Sequence, residues 1–186
     1  MIGPGYARAI VEHYATAWSA QVQRLPSGEG PVHQLGPEFG IVECGRALGV
    51  RAFATVCMSQ PGDASRVELH LLTREPGDSV AARMAELLTA VAHYHRTGNL
   101  LGLGHTVNFG EPWLPGSRCT HGLISLPYLD GPKLEWLDAQ DVRCLWLIPI
   151  AKEELAFKRS YGLEALEVRF EETSFDYLDP LRAPVV

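Results

Sequence analysis

Hydrophobic residues recur at helical spacing near the start of the chain. The apolar positions lie three or four residues apart, and they are Ile10, Tyr14, Trp18, Val22 and Leu25. Pro26 and Gly28 follow and end the pattern. This spacing predicts an amphipathic helix over residues 7–25 that packs one face against the rest of the fold and leads into a sheet.

A second stripe with the same period follows Asp78. Its members are Val80, Met84, Leu87, Leu88, Val91 and Tyr94. Asp78 or Ser79 can cap the first turn, and Gly98 can end the last one. We therefore predict a second amphipathic helix from Asp78 to the residues before Gly98.

The segment between these two helices alternates in short runs separated by glycine and proline, which is typical of consecutive antiparallel strands. The runs are VHQL, FGIVECGRAL, VRAFATVCM and RVELHLL. In the last run, Val67, Leu69 and Leu71 alternate with Glu68 and His70. This alternation predicts a strand with one buried face and one solvent face, on which Glu68 lies.

The second half of the chain begins with loops and returns to strands and helices. Residues 99–118 are rich in glycine and proline and predict loops. HGLISLPY and VRCLWLIPI predict two strands, and the second is apolar on both faces, which indicates a central position. Pro149 should end that strand, and Gly162 should separate helices at 152–160 and 163–170. The element order predicts an α+β fold with helices packed on a mainly antiparallel sheet.

Composition narrows the class of protein. The 186 residues, 46% hydrophobic and 20% charged, predict one globular domain over 1–186. The net charge of −6 argues against a nucleic-acid partner or an anionic membrane surface. No apolar run approaches a membrane span and the N-terminus does not resemble a signal peptide, so we predict a cytoplasmic protein. The four cysteines are widely spaced, which favours buried, reduced thiols.

One long segment carries a family resemblance. LWLIPIAKEELAFKRSYGLEALEVRFEE, which contains Pro149 and Gly162, resembles the C-terminal signature of the Suppressor of fused family domain. Three other parts of the chain agree in order and spacing, from about residue 31 to the end. They are FATVCMSQ with RVELHLLTRE, then MAELLTAVAHYHRTGNLLGLGHTVNFG, and finally FDYLDPLRAPVV.

The resemblance implies a protein-binding domain that is not an enzyme and needs no cofactor. Eukaryotic members resemble two-domain proteins that sequester Gli-type transcription factors by holding a peptide between their halves. Single-domain bacterial relatives are thought to act as immunity proteins, and this chain is similar to that kind, ending where the first eukaryotic domain would end. We therefore expect an immunity protein that occludes a polymorphic toxin. A module that sequesters a peptide or transcription factor is an alternative, and the oligomeric state stays open.

The resemblance also indicates positions for a binding site. Tyr94 matches a tyrosine beside the family's peptide groove, and His105 matches a histidine in the adjoining loop. Gly104 stands where an acidic residue is expected, and Cys57 stands where a glycine is expected. The first difference removes a charge from the site, and it argues against Gli-like recognition.

Further candidates come from the residues themselves. Trp113, in a glycine- and proline-rich loop, is either an exposed interface anchor or a lid on the core. Glu68 is either a functional carboxylate or a solvated strand residue. Together with Tyr94 and His105, they are the predicted partner-binding residues. An acidic face on the last two helices would attract a basic partner, and it comprises Glu153, Glu154, Glu164, Glu167, Glu171 and Glu172.

The rival interpretation is a small hydrolase or metalloprotein that uses Cys119, His121 and His105. A thiol two residues from an imidazole can act as a nucleophile when the two groups are hydrogen-bonded. His93 and His95 lie about 200° apart around a helix and cannot bind one ion together. The sequence contains no recognised zinc or dinucleotide motif, so we predict neither a metal nor a cofactor.

Overall fold

A computed structural model describes residues 4–26, 35–174 and 176–186. The strands in these parts of the chain are β1 (Val22–Arg24), β2 (Gly40–Gly45), β3 (Arg51–Val56), β4 (Val67–Thr73), β5 (Thr106–Asn108), β6 (Cys119–Ser125), β7 (Trp136–Leu137) and β8 (Val142–Ala151). The helices are α1 (Pro4–Trp18), α2 (Asp78–Arg96), α3 (Pro132–Glu135), α4 (Lys152–Tyr161) and α5 (Leu163–Thr173). The predicted α+β class is confirmed.

The strands form one mixed sheet in the order β1-β2-β3-β4-β8-β6-β5, and β7 pairs with β8. β4 and β8 run parallel, from Val67 opposite Arg143 to His70 opposite Trp146. The neighbouring pairs β3 with β4 and β6 with β8 are antiparallel. The prediction that VRCLWLIPI is a central strand is confirmed, because β8 lies between β4 and β6.

Helices cover both faces of the sheet. On one face, α2 contributes Met84 and Leu88 to a core that includes Leu69 of β4 and Leu145 of β8. On the other face, α1, α4 and α5 pack against the alternate side chains of β8, such as Trp146. Both faces of β4 are therefore buried, and the prediction that RVELHLL has a solvent face is wrong.

The N-terminal helix is shorter than its periodicity predicted. It ends at Trp18, and Ser19 adopts a positive φ of 52° that turns the chain. Val22 then enters β1 opposite Cys44 of β2. Val22 and Leu25 fit a helical period by chance, because a three-residue strand is too short to show a period of its own. Residues 32–34 of the predicted strand VHQL lie outside the described residues.

Pro149 does not end the central strand, since β8 continues to Ala151. β4 pairs with β8 only as far as Trp146, and beyond that point β6 is the one strand among the described residues that pairs with β8. A proline is tolerated there because its missing N–H can face the unpaired side. Gly162 does separate α4 from α5 as predicted.

Candidate functional site

A cleft of about 570 Å³ opens at the C-terminal end of α2. It lies between the loop that leaves this helix, the start of β5 and the last turn of α4. Its lining contains Tyr94 and His105, and the full set is Tyr94, Gly98, Asn99, Leu100, Leu101, Gly104, His105, Thr106 and Lys158. The structure thus brings two of the four predicted binding residues together at one surface.

The loop that forms the rim of the cleft is held by a buried histidine. His95 lies on the core side of α2, and its Nδ1 accepts a hydrogen bond from the Leu101 backbone N–H at 2.9 Å. Burial lowers the pKa of His95, which keeps the ring neutral and able to accept this bond. The sequence could have indicated this role, because His95 lies four residues after Val91 on the buried stripe.

A tight turn continues the rim toward β5. The His105 N–H donates to the Gly102 carbonyl at 3.1 Å, and Gly104 and His105 exchange backbone hydrogen bonds with Ile124 of β6 at 2.8 and 2.9 Å. Gly104 has a φ of +79°, and a Cβ there would lie 3.3 Å from Leu163 Cδ2. Glycine suits this backbone, and an acidic side chain at this position would have little room.

Trp113 does not lie at the cleft. It is 1% exposed, its indole N–H donates to Ser117 Oγ at 3.0 Å, and its ring packs in the core beneath α2. The expectation of an exposed anchor is wrong, and the alternative of a lid on the core is the one observed. The Trp113 N–H donates a hydrogen bond to the Cys119 carbonyl at 3.0 Å, which holds the folded-back loop against the start of β6.

Glu68 is also buried, and the prediction of a surface carboxylate is wrong. Its Oε2 accepts hydrogen bonds from Thr55 Oγ1 at 2.5 Å and the Met58 N–H at 3.1 Å, and its Oε1 accepts one from the Ser59 N–H at 3.2 Å. Burial raises the pKa of Glu68 to about 7. The turn that it holds begins at Cys57, whose φ of 62° explains why a glycine is expected there. Its contacts make Glu68 a structural residue.

The predicted acidic face on α4 and α5 is largely neutralised within the molecule. Glu154 is buried and bonds both Arg182 Nη atoms, at 2.6 and 2.8 Å. Glu153 pairs with Arg118 at 2.5 Å, and Glu172 pairs with Arg169 at 3.1 Å. Glu167 accepts a hydrogen bond from the Tyr128 hydroxyl at 2.5 Å. Glu164 and Glu171 are exposed, so less negative charge faces solvent than the sequence predicted.

The residues of the rival hydrolase do not form a hydrogen-bonded pair in the described structure. Burial raises the pKa of the Cys119 thiol, which opposes formation of the thiolate. His121 Nδ1 contacts Thr120 Oγ1 at 3.0 Å, and an irregularity in the strand separates it from Cys119. His105 lies at the cleft. This geometry does not support a thiol nucleophile.

The described residues contain neither a metal-binding cluster nor a membrane-spanning helix. Across residues 4–26, 35–174 and 176–186, no group of three or more His, Cys, Asp or Glu side chains is arranged to hold a metal ion. In the same ranges, no helix combines the length and the apolar character that crossing a membrane requires.

Fold and site together define a class of small α+β protein: a mixed sheet covered on both faces, with a cleft beside an edge strand. The family model of the Suppressor of fused protein (SUFU) matches residues 39–183, and the chain belongs to this family. No curated protein matches the sequence.

Solved structures with the same fold agree with this assignment. A Suppressor of fused homologue from Neisseria gonorrhoeae FA 1090 has 29% sequence identity and a TM-score of 0.83, and the match covers 99% of this chain and 98% of that one. The Sufu-Fu complex structure shows 13% identity and a TM-score of 0.60, covering 97% and 92%. Drosophila Suppressor of Fused shows 12% identity and a TM-score of 0.63, covering 100% of this chain and 54% of that one. Because the last two structures share only 13% and 12% sequence identity with this chain, their similarity shows a common fold and nothing more.

Proposed function

We propose that this chain is a non-enzymatic protein-binding domain that holds a segment of its partner in the cleft formed by Tyr94 and His105. The observation that carries the proposal is exposed apolar surface at a structured cleft. Tyr94 is 48% exposed and Leu100 is 59% exposed, although the rim beneath them is fixed by hydrogen bonds. Exposed aromatic and aliphatic side chains on a rigid rim are typical of interface anchors.

The neighbouring strand offers a second means of attachment. In the described part of the chain, β5 pairs with β6 on one side and carries no strand on the other. Thr106, its first residue, lines the cleft. An extended peptide can add to such an edge through main-chain hydrogen bonds while its side chains enter the cleft. This mode needs no catalytic group.

The comparisons support a protein partner. One structure with the same fold is a complex of Sufu with Fu, which are two proteins. The match to the Neisseria gonorrhoeae homologue extends over almost the whole of both chains. We propose that the partner of this chain is a toxin-like protein, neutralised by occlusion of its active surface. The four buried free thiols agree with the predicted cytoplasmic location, where thiols stay reduced.

Capture experiments with matched variants test this proposal. The tagged protein and its Tyr94→Ala and His105→Ala variants are incubated with lysate of the native cells, and retained chains are identified. Leu48→Ala serves as the control, because Leu48 is 92% exposed on the β2–β3 turn and does not line the cleft. We expect one protein to be retained by the wild type and by the control. We expect Tyr94→Ala to weaken its binding by at least about 1 kcal/mol.

The purified partner then tests the immunity role. Its toxic or enzymatic activity should be blocked by stoichiometric wild-type protein and by Leu48→Ala, and much less by Tyr94→Ala. If Tyr94→Ala and His105→Ala bind the partner as tightly as the wild type does, the cleft is not the binding site. A partner that binds in the cleft and keeps its full activity would contradict occlusion.

A further inference from the structure

We infer that the cleft selects an acidic segment of its partner, in which a carboxylate beside apolar side chains binds Lys158. This inference rests on the proposed function, because it names the chemistry of the segment that the same cleft would hold. It runs opposite to the expectation from the sequence, in which an acidic face attracts a basic partner.

The first observation is that Lys158 has no carboxylate partner in the described parts of the chain. Most arginines in those parts are ion-paired: examples are Arg46 with Asp130, Arg51 with Glu43 and Arg143 with Glu135. Lys158 is half-buried at the wall of the cleft and makes no such pair. A partly desolvated cation without a counter-charge attracts an anionic ligand.

The second observation is the charge on the rest of α4. Lys152 and Arg159 also lack a carboxylate within 4.0 Å among the described residues, whereas the two acids of this helix, Glu153 and Glu154, are occupied by Arg118 and Arg182. Arg159 adds to the effect of burial in lowering the pKa of Lys158. Of these three cations only Lys158 lines the cleft, whereas Lys152 and Arg159 lie close enough to His121 to lower its pKa and add positive charge to the same helix.

The third observation is the lining itself. The described residues that line the cleft include Lys158 and His105 but no Asp or Glu, although the whole chain has a net charge of −6. Tyr94 and Leu100 supply apolar surface on the α2 side. A ligand that complements both walls carries a carboxylate on one side and an aliphatic or aromatic side chain on the other.

The positions of the α4 cations are only partly explained by a favourable interaction with the helix dipole. Lys158 and Arg159 lie in the last turn of α4, where a cation interacts favourably with the helix dipole. Lys152 lies in the first turn, where the dipole disfavours it. The dipole therefore does not explain why Lys152 also lacks a carboxylate partner among the described residues.

Binding of short peptides to the intact protein tests the inference. The probe is a fluorescent hexapeptide in which leucine and glutamate alternate, measured beside its leucine–glutamine and leucine–lysine counterparts. We expect the glutamate peptide to bind about tenfold more tightly than the glutamine peptide at low salt, and to lose this advantage at high salt. Lys158→Met should reduce its affinity to that of the glutamine peptide.

The matched control is Lys133→Met. Lys133 is an exposed lysine of α3 that also lacks a carboxylate partner in the described residues, and it does not line the cleft. It should leave all affinities unchanged. If the glutamine or lysine peptide binds as tightly as the glutamate peptide, and Tyr94→Ala weakens it, the cleft binds segments but the acidic preference is wrong. If none of the three peptides binds, the inference is overturned; capture of a protein partner through Tyr94 would then still uphold the proposed function.

Discussion

Two buried titratable residues of β4 make contributions to folding stability that change in opposite directions with pH. Glu68 and His70 lie two positions apart and are both inaccessible to solvent. Burial raises the pKa of Glu68 to about 7 and lowers that of His70 to about 3. Both groups therefore favour the neutral form. Desolvation is the main cause for each, and the Arg46 guanidinium also opposes protonation of His70, although the Asp130 carboxylate lies 4.0 Å from its Nε2.

The sign of each contribution follows from proton linkage. The folded protein binds the Glu68 proton more tightly than the unfolded chain, so the stability from this group is present at low pH and lost as pH rises towards about 7. The unfolded chain protonates His70 more readily, so stability from that group is lost as pH falls below its usual range. The two contributions have opposite slopes and offset each other in the wild type between about pH 4.5 and pH 6.5, which are the ordinary pKa values of the two groups.

Replacing Glu68 by glutamine should expose the effect of His70. Between pH 5.5 and pH 7.5, we expect the free energy of unfolding of Glu68→Gln to rise by about 2 kcal/mol more than that of the wild type. Urea unfolding at both pH values measures the difference. Glu75→Gln, at an exposed carboxylate, is the control. Parallel pH profiles for Glu68→Gln and the wild type would contradict a raised pKa at Glu68.

At the scale of elements, hydrophobic periodicity predicted the longer helices and strands but not the shortest strands. α2, α4, α5, β6 and β8 were predicted from apolar spacing together with glycine punctuation. β1 was missed, because Val22 and Leu25 continue the stripe of α1 and because three residues do not establish a period. The solvent face assigned to β4 was wrong for another reason: alternation of Glu68 and His70 with leucines cannot show that helices cover both faces.

The turn that links α2 to β5 gives an element-scale prediction. Gly104→Ala places a side chain at a positive φ and 3.3 Å from Leu163, so we expect the free energy of unfolding to fall by about 1 kcal/mol or more. Gly102→Ala is the matched control in the same turn, since its φ is ordinary and a Cβ would meet nothing within 4 Å. Thermal unfolding compares them. If both variants lose the same free energy of unfolding, the positive φ of Gly104 and its proximity to Leu163 do not require a glycine.

At the scale of the whole molecule, the C-terminal segment is fastened to the sheet by one buried arginine. Arg182 bonds Glu154 through both Nη atoms and donates to the Pro149 carbonyl at 2.9 Å. Glu154 also accepts hydrogen bonds from the backbone N–H groups of Ala151 and Val185, at 2.8 and 3.2 Å. One carboxylate thereby joins the end of β8, the start of α4 and the last residues of the chain.

Removing the Arg182 side chain should destabilise the protein. Arg182→Met leaves the Glu154 carboxylate buried with only backbone donors, and we expect the free energy of unfolding to fall by about 3 kcal/mol. Arg74→Met is the matched control, because Arg74 also binds the C-terminal segment, through Asp176, but both side chains are about half exposed. That variant should lose less than about 1 kcal/mol. Equal losses, measured by denaturant unfolding, would contradict the importance of burial.

The site was only partly predictable at this scale. Tyr94 and His105, which the family resemblance indicated, line one cleft, and their role in binding stays a prediction. Trp113 was misplaced, since a loop rich in glycine and proline can fold back as easily as it can protrude. Lys158 was not singled out, because a lysine without a partner looks in sequence like any other lysine. Only the three-dimensional pairing of the neighbouring acids distinguishes it.

The parallel pairing of β4 with β8 has a consequence for how the chain assembles. β1 to β4 pair with near neighbours in sequence, whereas β8 is separated from β4 by residues 74–141. Bringing β4 and β8 together closes a long loop, and this costs conformational entropy before the hydrogen bonds between the strands form. We therefore expect the pairing of β4 with β8 to be a slow step in folding. During synthesis, β4 is complete long before β8 leaves the ribosome. Until then its unpaired, apolar edge is open to pairing with another copy of the chain.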